Sequence, residues 1–252
     1  MTLLITGGAS GIGAETARLA AARGHKVAIN YRSREATAKK VVADITAKGG
    51  QAVALPADAA READIGPLFD AAEKALGPIT HLVNSAGISA SSRVEDFDAA
   101  VLTRLFAVNT VGLMLCCREA ARRMSTRRGG KGGVIVNISS MAATIGGRPG
   151  VSAYAASKAA VDSFTMGFAK EVATEGIRAV SLRPGMIETD MTERALADPE
   201  ARAAIESTIA MGRVGRATEI AQAILWLLSD EASFISGVTL DASGGGFVFG
   251  KR

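Results

Sequence analysis

Leu3-Leu4-Ile5-Thr6-Gly7-Gly8-Ala9-Ser10-Gly11-Ile12-Gly13 runs from a short apolar stretch straight into a glycine turn, and Ala14-Glu15-Thr16-Ala17-Arg18-Leu19-Ala20 follows with helical character. The order strand, turn, helix is what gives these glycines meaning. A tight turn needs a residue without a Cβ, backbone approach to a pyrophosphate needs another, and close packing of helix on strand needs a third. Gly7, Gly11 and Gly13 are spaced for those three tasks. The helix start then presents unsatisfied N–H groups and the positive end of its dipole. An anion held there is gripped by backbone, which makes a dinucleotide the expected ligand class.

Working outward, six further β-rich runs succeed the first at Leu3–Thr6: Lys26–Tyr31, Gln51–Pro56, His81–Asn84, Val134–Ser139, Ile177–Arg183 and Val238–Asp241. Amphipathic or Ala-rich stretches lie between them, with Gly24, Gly49, Gly77 and Gly176 at the ends, where a left-handed residue closes a helix. Alternation of this kind implies parallel strands joined by right-handed crossovers, with helices on both faces. Near-continuous apolar runs such as Val27-Ala28-Ile29 and Val134-Ile135-Val136 suit strands buried on both sides. The expected class is α/β, a doubly wound sheet of seven mainly parallel strands. No Pro/Ser-rich linker, charge block or repeat divides it, so 1–252 reads as one domain.

With 48% of its residues apolar and 21% charged, the 252-residue chain can bury a large core. The formal charge of +4, from 29 basic and 25 acidic residues, gives no general reason to expect nucleic acid. Its one basic concentration, Arg122, Arg123, Arg127, Arg128 and Lys131, reads as a solvated helix end and loop. Cys116 and Cys117 are adjacent and make no disulfide framework, which fits a reducing cytoplasm. The N-terminus shows no basic region, long apolar region or cleavage site of a secretory signal. Charges or glycines interrupt each apolar stretch short of the roughly 20 residues that cross a bilayer, so no membrane partner is expected. His25 and His81 lack metal-ligand spacing and read as structural or surface residues; no metal site is expected.

The Thr6-Gly7-x-x-x-Gly11-x-Gly13 spacing, followed by Asn84-Ser85-Ala86-Gly87, Asn109, Ser139-Ser140, Tyr154-Ala155-Ala156-Ser157-Lys158 and Arg183-Pro184-Gly185 with Ile187 and Thr189, resembles the short-chain dehydrogenase/reductase family. Nearly the whole chain supports the resemblance. It implies a Rossmann-type fold and an oxidoreductase that moves a hydride between a nicotinamide dinucleotide and a carbonyl or alcohol carbon.

Tyr154 and Lys158 lie four residues apart in a stretch of helical period, so both side chains leave one face. Carbonyl reduction needs a proton donor at oxygen while hydride reaches carbon, and a phenol, with an ordinary pKa of about 10, can serve if made more acidic. A nearby ammonium favours phenolate; reaching neutrality takes roughly 4 kcal/mol of differential interaction, within reach of one lysine plus an oxidised nicotinamide. The resemblance assigns Ser140, rather than Ser139, to hold the substrate oxygen, and Asn109 to a relay in which its backbone holds water leading to Lys158. The interval from Ser140 to Tyr154 is one residue longer than in many relatives, with Gly146-Gly147 as the site of the insertion.

After the second strand the chain reads Asn30-Tyr31-Arg32-Ser33. An acidic residue there would accept ribose hydroxyls and repel a 2′-phosphate, whereas a cation attracts it. Tyr31 occupies the acidic position of the family pattern and Arg32 follows, so NADP(H) is expected over NAD(H). The resemblance adds Asp58 and Ala59 at the adenine; Asn84, Ala86 and Gly87 at the ribose; and Ser10 and Ile12 in the phosphate turn. Pro184, Gly185, Ile187 and Thr189 would hold the nicotinamide. Residues 186–216 would form a substrate lid, and Phe247-Val248-Phe249 would bury in a homo-oligomer, a tetramer by family pattern. A non-catalytic dinucleotide-binding regulator or scaffold is the competing reading; sugars, oxoacyl thioesters, steroids and ketones all remain open as substrates.

Overall fold

A computed structural model describes residues 1–246; Phe247-Val248-Phe249 lies outside them. The chain runs β1 (Thr2–Thr6), α1 (Gly11–Ala22), β2 (Lys26–Tyr31), α2 (Glu35–Thr46), β3 (Gln51–Pro56), α3 (Glu62–Leu76) and β4 (Ile79–Asn84). Then come α4 (Ala99–Phe106), a π-helical turn (Ala107–Gly112), α5 (Leu113–Met124), β5 (Gly133–Ile138), α6 (Ala142–Ile145), α7 (Ser152–Val172) and β6 (Ile177–Pro184). A short strand β7 (Ile187–Glu188), helices α8 (Glu193–Leu196) and α9 (Pro199–Glu206), and strand β8 (Gly215–Arg216) precede α10 (Ala217–Leu228) and β9 (Thr239–Ala242).

Seven strands form one sheet in the order β3-β2-β1-β4-β5-β6-β9, and each neighbouring pair is parallel. The two-residue period of a strand divides its apolar side chains between two cores. Leu3 and Ile5 join Val27, Ile29, Val136 and Leu182 beneath α1, α2 and α10. Leu4 turns to the other face with Ile135 and Ala179, beneath α3, α5 and α7. Full burial of each such aliphatic side chain stabilises the fold by roughly 1.5–3 kcal/mol, which is why these strands carry no polar face.

The continuous helical run Ala99–Met124 is, by length and composition, long and apolar enough to cross a membrane, which the sequence reading had not allowed for. Here it is a core helix: Leu113, Cys116, Cys117, Ala120 and Met124 pack against the sheet with α3 and α7. Both cysteines are free and buried, and burial pushes the Cys116 thiol up to about 12. The basic cluster at the end of α5 is largely paired: Arg122 and Arg123 reach Glu119, Arg123 also reaches Asp70 and Glu73, and Arg127 reaches Glu175.

His81 is buried at the start of β4, with Nδ1 on the Thr80 hydroxyl at 2.8 Å and Nε2 facing the Leu228 carbonyl at 3.2 Å. His25 meets it edge-on, with ring centroids 5.7 Å apart. Burial first, and then His25, lower the His81 pKa from 6.5 to about 4. Folding therefore favours the neutral ring. That contribution is complete above about pH 6.5 and is lost as the pH falls towards 4, about 3 kcal/mol in total. Denaturant unfolding at neutral and acid pH should show His81→Gln losing less stability on acidification than the parent; equal losses would show that His81 does not set the acid limb.

Candidate active site

Because the strands are parallel, their C-terminal ends share one edge of the sheet. The order reverses between β1 and β4, where crossovers leave towards opposite sides and open a crevice. Two connected clefts occupy that edge, of about 480 and 180 Å³, and both are lined by Gly7, Ser10, Ala86 and Gly87.

The glycine turn forms their shared floor. Gly7 has φ +67°, and a Cβ there would lie 2.7 Å from the Ala86 Cα. At Gly13 a Cβ would stand 2.5 Å from the Gly7 carbonyl oxygen, so α1 packs on the turn with no space for a side chain. Ser10 adopts an extended conformation at the helix start and its hydroxyl caps nothing. The first N–H groups of α1 are thus uncapped by any side chain, with Ser10, Gly11 and Ile12 lining the larger cleft. This backbone cradle fits the diphosphate of a dinucleotide on steric and electrostatic grounds.

Asn30, at the end of β2, holds the turn in place, a role that sequence reading missed. Its Nδ2 donates to the Ala57 carbonyl at 2.9 Å, its Oδ1 accepts from the Gly7 N–H at 3.4 Å, and its own carbonyl accepts from Gly8 N–H at 3.0 Å. A buried polar residue at a strand end was the available signal.

The smaller cleft brings together Tyr31, Arg32, Asp58 and Ala59, and adds Arg34 and Arg104. Arg104 pairs with the Asp58 carboxylate at 2.9 and 3.0 Å. Burial opposes ionisation of Asp58, but Arg104, the Ala60 N–H and Arg32 outweigh it and hold the carboxyl below its ordinary range. Asn84 is different. Its side chain is 2% exposed, lines neither cleft, and donates to Asn137 Oδ1 at 2.9 Å inside the sheet. Ser85, Ala86 and Gly87 line the cleft in its place.

The larger cleft gathers Ser140, Tyr154, Lys158, Pro184, Gly185, Ile187 and Thr189. The two serines after β5 are separated by their partners. Ser139 Oγ donates to the Lys158 carbonyl at 3.0 Å, which ties β5 to α7. Ser140 Oγ accepts from the Ala142 N–H at 3.1 Å and lies beside the Tyr154 phenol. Lys158 is 4% exposed; its Nζ donates to the Ile138 carbonyl at 2.8 Å and stands 6.0 Å from the Tyr154 ring centre. Thr192, which sequence reading passed over, donates to the Ile187 carbonyl at 2.6 Å and accepts from the Thr189 N–H at 3.0 Å, shaping the segment from Ile187 to Thr192.

Asn109 sits in the π-helical turn and is fully buried. Its amide clamps Ile88 from both sides, accepting from the N–H at 2.8 Å and donating to the carbonyl at 2.9 Å, and also donates to Ser157 Oγ at 3.0 Å. The side chain is therefore occupied, leaving only the backbone carbonyl for the relay inferred from sequence.

Burial acts on both members of the Tyr154–Lys158 pair. Burial raises the Tyr154 pKa above its ordinary value, with the Ser140 hydroxyl acting in the opposite direction. Burial also lowers Lys158 to about 8, partly opposed by Asp162. Desolvation thus opposes charge on both groups, and Lys158 Nζ is held on the Ile138 carbonyl.

The family model described as Enoyl-(Acyl carrier protein) reductase matches residues 7–246. An uncharacterized oxidoreductase, YgfF of Escherichia coli (strain K12), is 43% identical across 96% of this chain and 98% of its own length. The chain belongs to the short-chain dehydrogenase/reductase family. The 3beta-hydroxysteroid dehydrogenase 1 of Eggerthella lenta is 40% identical over 99% of this chain and 97% of its own. Among solved structures, a blue fluorescent protein from a metagenomic library in complex with NADPH superposes with TM-score 0.89 at 30% identity, over 97% of this chain and 96% of that one. As a short-chain dehydrogenase/reductase, the chain is an oxidoreductase acting at hydroxyl or carbonyl groups with a nicotinamide dinucleotide. Among the described residues no cluster of three or more His, Cys, Asp or Glu is placed to hold a metal ion.

Proposed function

We propose that this protein interconverts a carbonyl and a secondary alcohol with NADP(H), and that Tyr154 is its acid and base. The observation carrying this reading is the shared lining of one cleft by the Ser140 hydroxyl, the Tyr154 phenol and the Lys158 ammonium, beside an uncapped helix start. When bound, the dinucleotide supplies the hydride donor or acceptor and, in its oxidised form, a positive charge. Ser140 and Tyr154 hold the substrate oxygen; in reduction the phenol gives that oxygen its proton. Lys158 faces the resulting phenolate and favours it, while the Asn109 carbonyl lines the return path for the proton. In the oxidative direction the phenol must lose its proton first, against the burial that raises its pKa. Residues 1–252 act as one dinucleotide-binding and catalytic unit, with 186–216 as its cover.

Arg32 supports NADP(H) over NAD(H). It lines the adenosine-side cleft and among the described residues forms no ion pair within 4 Å, whereas its neighbours Arg34 and Arg104 are each paired with an aspartate. A charge-assisted contact to a 2′-phosphate is worth about 1.5–3 kcal/mol. NADPH oxidation followed at 340 nm against a ketone panel tests the activity, and a regulator or scaffold would bind NADPH without turnover. Arg32→Asp should lower the NADPH-to-NADH preference in kcat/KM by about tenfold to a hundredfold; an unchanged ratio would exclude Arg32 as the phosphate reader. We also infer a cytoplasmic homo-oligomer, tetrameric by family pattern. Exposed Trp226, Phe234 and Leu240 near the β9 edge support self-association, which light scattering tests.

A further inference from the structure

Four arginines line the two clefts: Arg32, Arg34 and Arg104 at the adenosine end and Arg148 at the substrate end. Arg34 is neutralised by Asp190 and Arg104 by Asp58, so the carboxylates at the clefts are already paired. Arg32 is open and has the dinucleotide phosphate as its expected ligand. Arg148 is the other open one: among the described residues its side chain has neither an ion pair nor a hydrogen bond.

The placement of Arg148 is built by the backbone. Gly146, Gly147 and Gly150 flank it with φ of +75°, +81° and +87°. The loop is pinned to the segment after β4 by the Ser92 N–H, which donates to the Gly150 carbonyl at 2.8 Å, and closed on itself by the Val151 N–H on the Arg148 carbonyl at 3.1 Å. Around it the substrate side is lined by Met141, Ile145, Val151, Met186 and Met191. This part of the wall is apolar, and Arg148 is exposed at its rim.

We propose that the physiological substrate is an apolar oxo or hydroxy compound bearing a carboxylate remote from the reacting carbon, and that Arg148 receives this carboxylate. The inference rests on the cleft being the carbonyl-reducing site proposed above. An apolar body fills the methionine-lined wall without leaving polar groups unpaired. A carboxylate at its far end meets the guanidinium in the paired geometry that arginine favours. A neutral substrate would leave the cation unused, and a cationic one would be repelled.

The test compares methyl-ketone carboxylates of increasing chain length, each beside its methyl ester, by NADPH oxidation. At the chain length that spans the cleft, the parent should favour the free acid about tenfold in kcat/KM, mainly through KM, and rising salt should erode that preference. Arg148→Gln should bring the acid-to-ester ratio near one, Arg148→Lys should retain part of it, and Arg148→Glu should invert it. NADPH titration of the same proteins reports separately on the cofactor half of the site. Turnover with an acid-to-ester ratio near one at every length in the parent, or a ratio untouched by Arg148→Glu, overturns the inference and leaves the oxidoreductase reading standing. Failure to bind NADPH removes both.

Discussion

Tyr154→Phe should lower ketone reduction by about a thousandfold, within the range ascribed to a positioned proton donor, while the affinity for NADPH stays within about twofold. The phenylalanine ring fills the same space on α7 and removes one hydroxyl. Lys158 keeps its bond to the Ile138 carbonyl at 2.8 Å, and the glycine turn is untouched. The loss should therefore fall on kcat, with no change in the unfolding midpoint beyond a degree or two. Residual activity above a tenth of the parent would mean that another group, with Ser140 the nearest, delivers the proton. A parallel loss of NADPH binding would place Tyr154 in cofactor recognition.

Gly7→Ala should weaken NADPH binding by at least about a hundredfold and destabilise the fold by about 2–4 kcal/mol. Two effects add. A φ of +67° costs an L-residue roughly 1–2 kcal/mol, and the new methyl would stand 2.7 Å from the Ala86 Cα and 2.8 Å from its nitrogen. Neither contact is the yielding end of a side chain, so the turn or the strand-end loop carrying Ala86 and Gly87 has to move. Both line the dinucleotide cleft, which links stability to binding. Thermal unfolding and NADPH fluorescence titration check the two parts. A variant that unfolds and binds as the parent does would show that the turn tolerates rearrangement and that the backbone cradle is not what holds the cofactor.

How far the sequence reached depended on whether a role is local. The strands were legible because the inner ones, buried on both faces, are largely apolar, as Val134-Ile135-Val136 is, and none of the ends of all seven moved by more than two residues. The glycine turn was legible because backbone geometry restricts residue choice at Gly7 and Gly13. Helical spacing placed Tyr154 and Lys158 on one face, and the family resemblance gave that pair its role. Roles set by tertiary partners were not legible. Asn84 was read as a ribose neighbour, yet its side chain turns into the sheet towards Asn137, because nothing in its own neighbourhood shows which face β4 gives it. Arg104, Asn30 and Thr192 were missed because each acts across a long separation or within an irregular turn.

The effect of burial on the site was not legible in the spacing. Helical spacing puts an ammonium near a phenol but says nothing about desolvation, which here raises Tyr154 and lowers Lys158. The apolar run from α4 to α5 shows a similar limit, since composition alone cannot distinguish a core helix from one that crosses a bilayer.

Direct hydride transfer in this cleft is tested most closely by isotope. NADPH deuterated at the transferable position of the nicotinamide ring is incubated with a ketone that the enzyme turns over, and the product alcohol is weighed by mass spectrometry. One deuterium at the carbinol carbon, from one face of the ring only, is the expected result. NADPH consumed without label in the alcohol, or label lost to water, would contradict it.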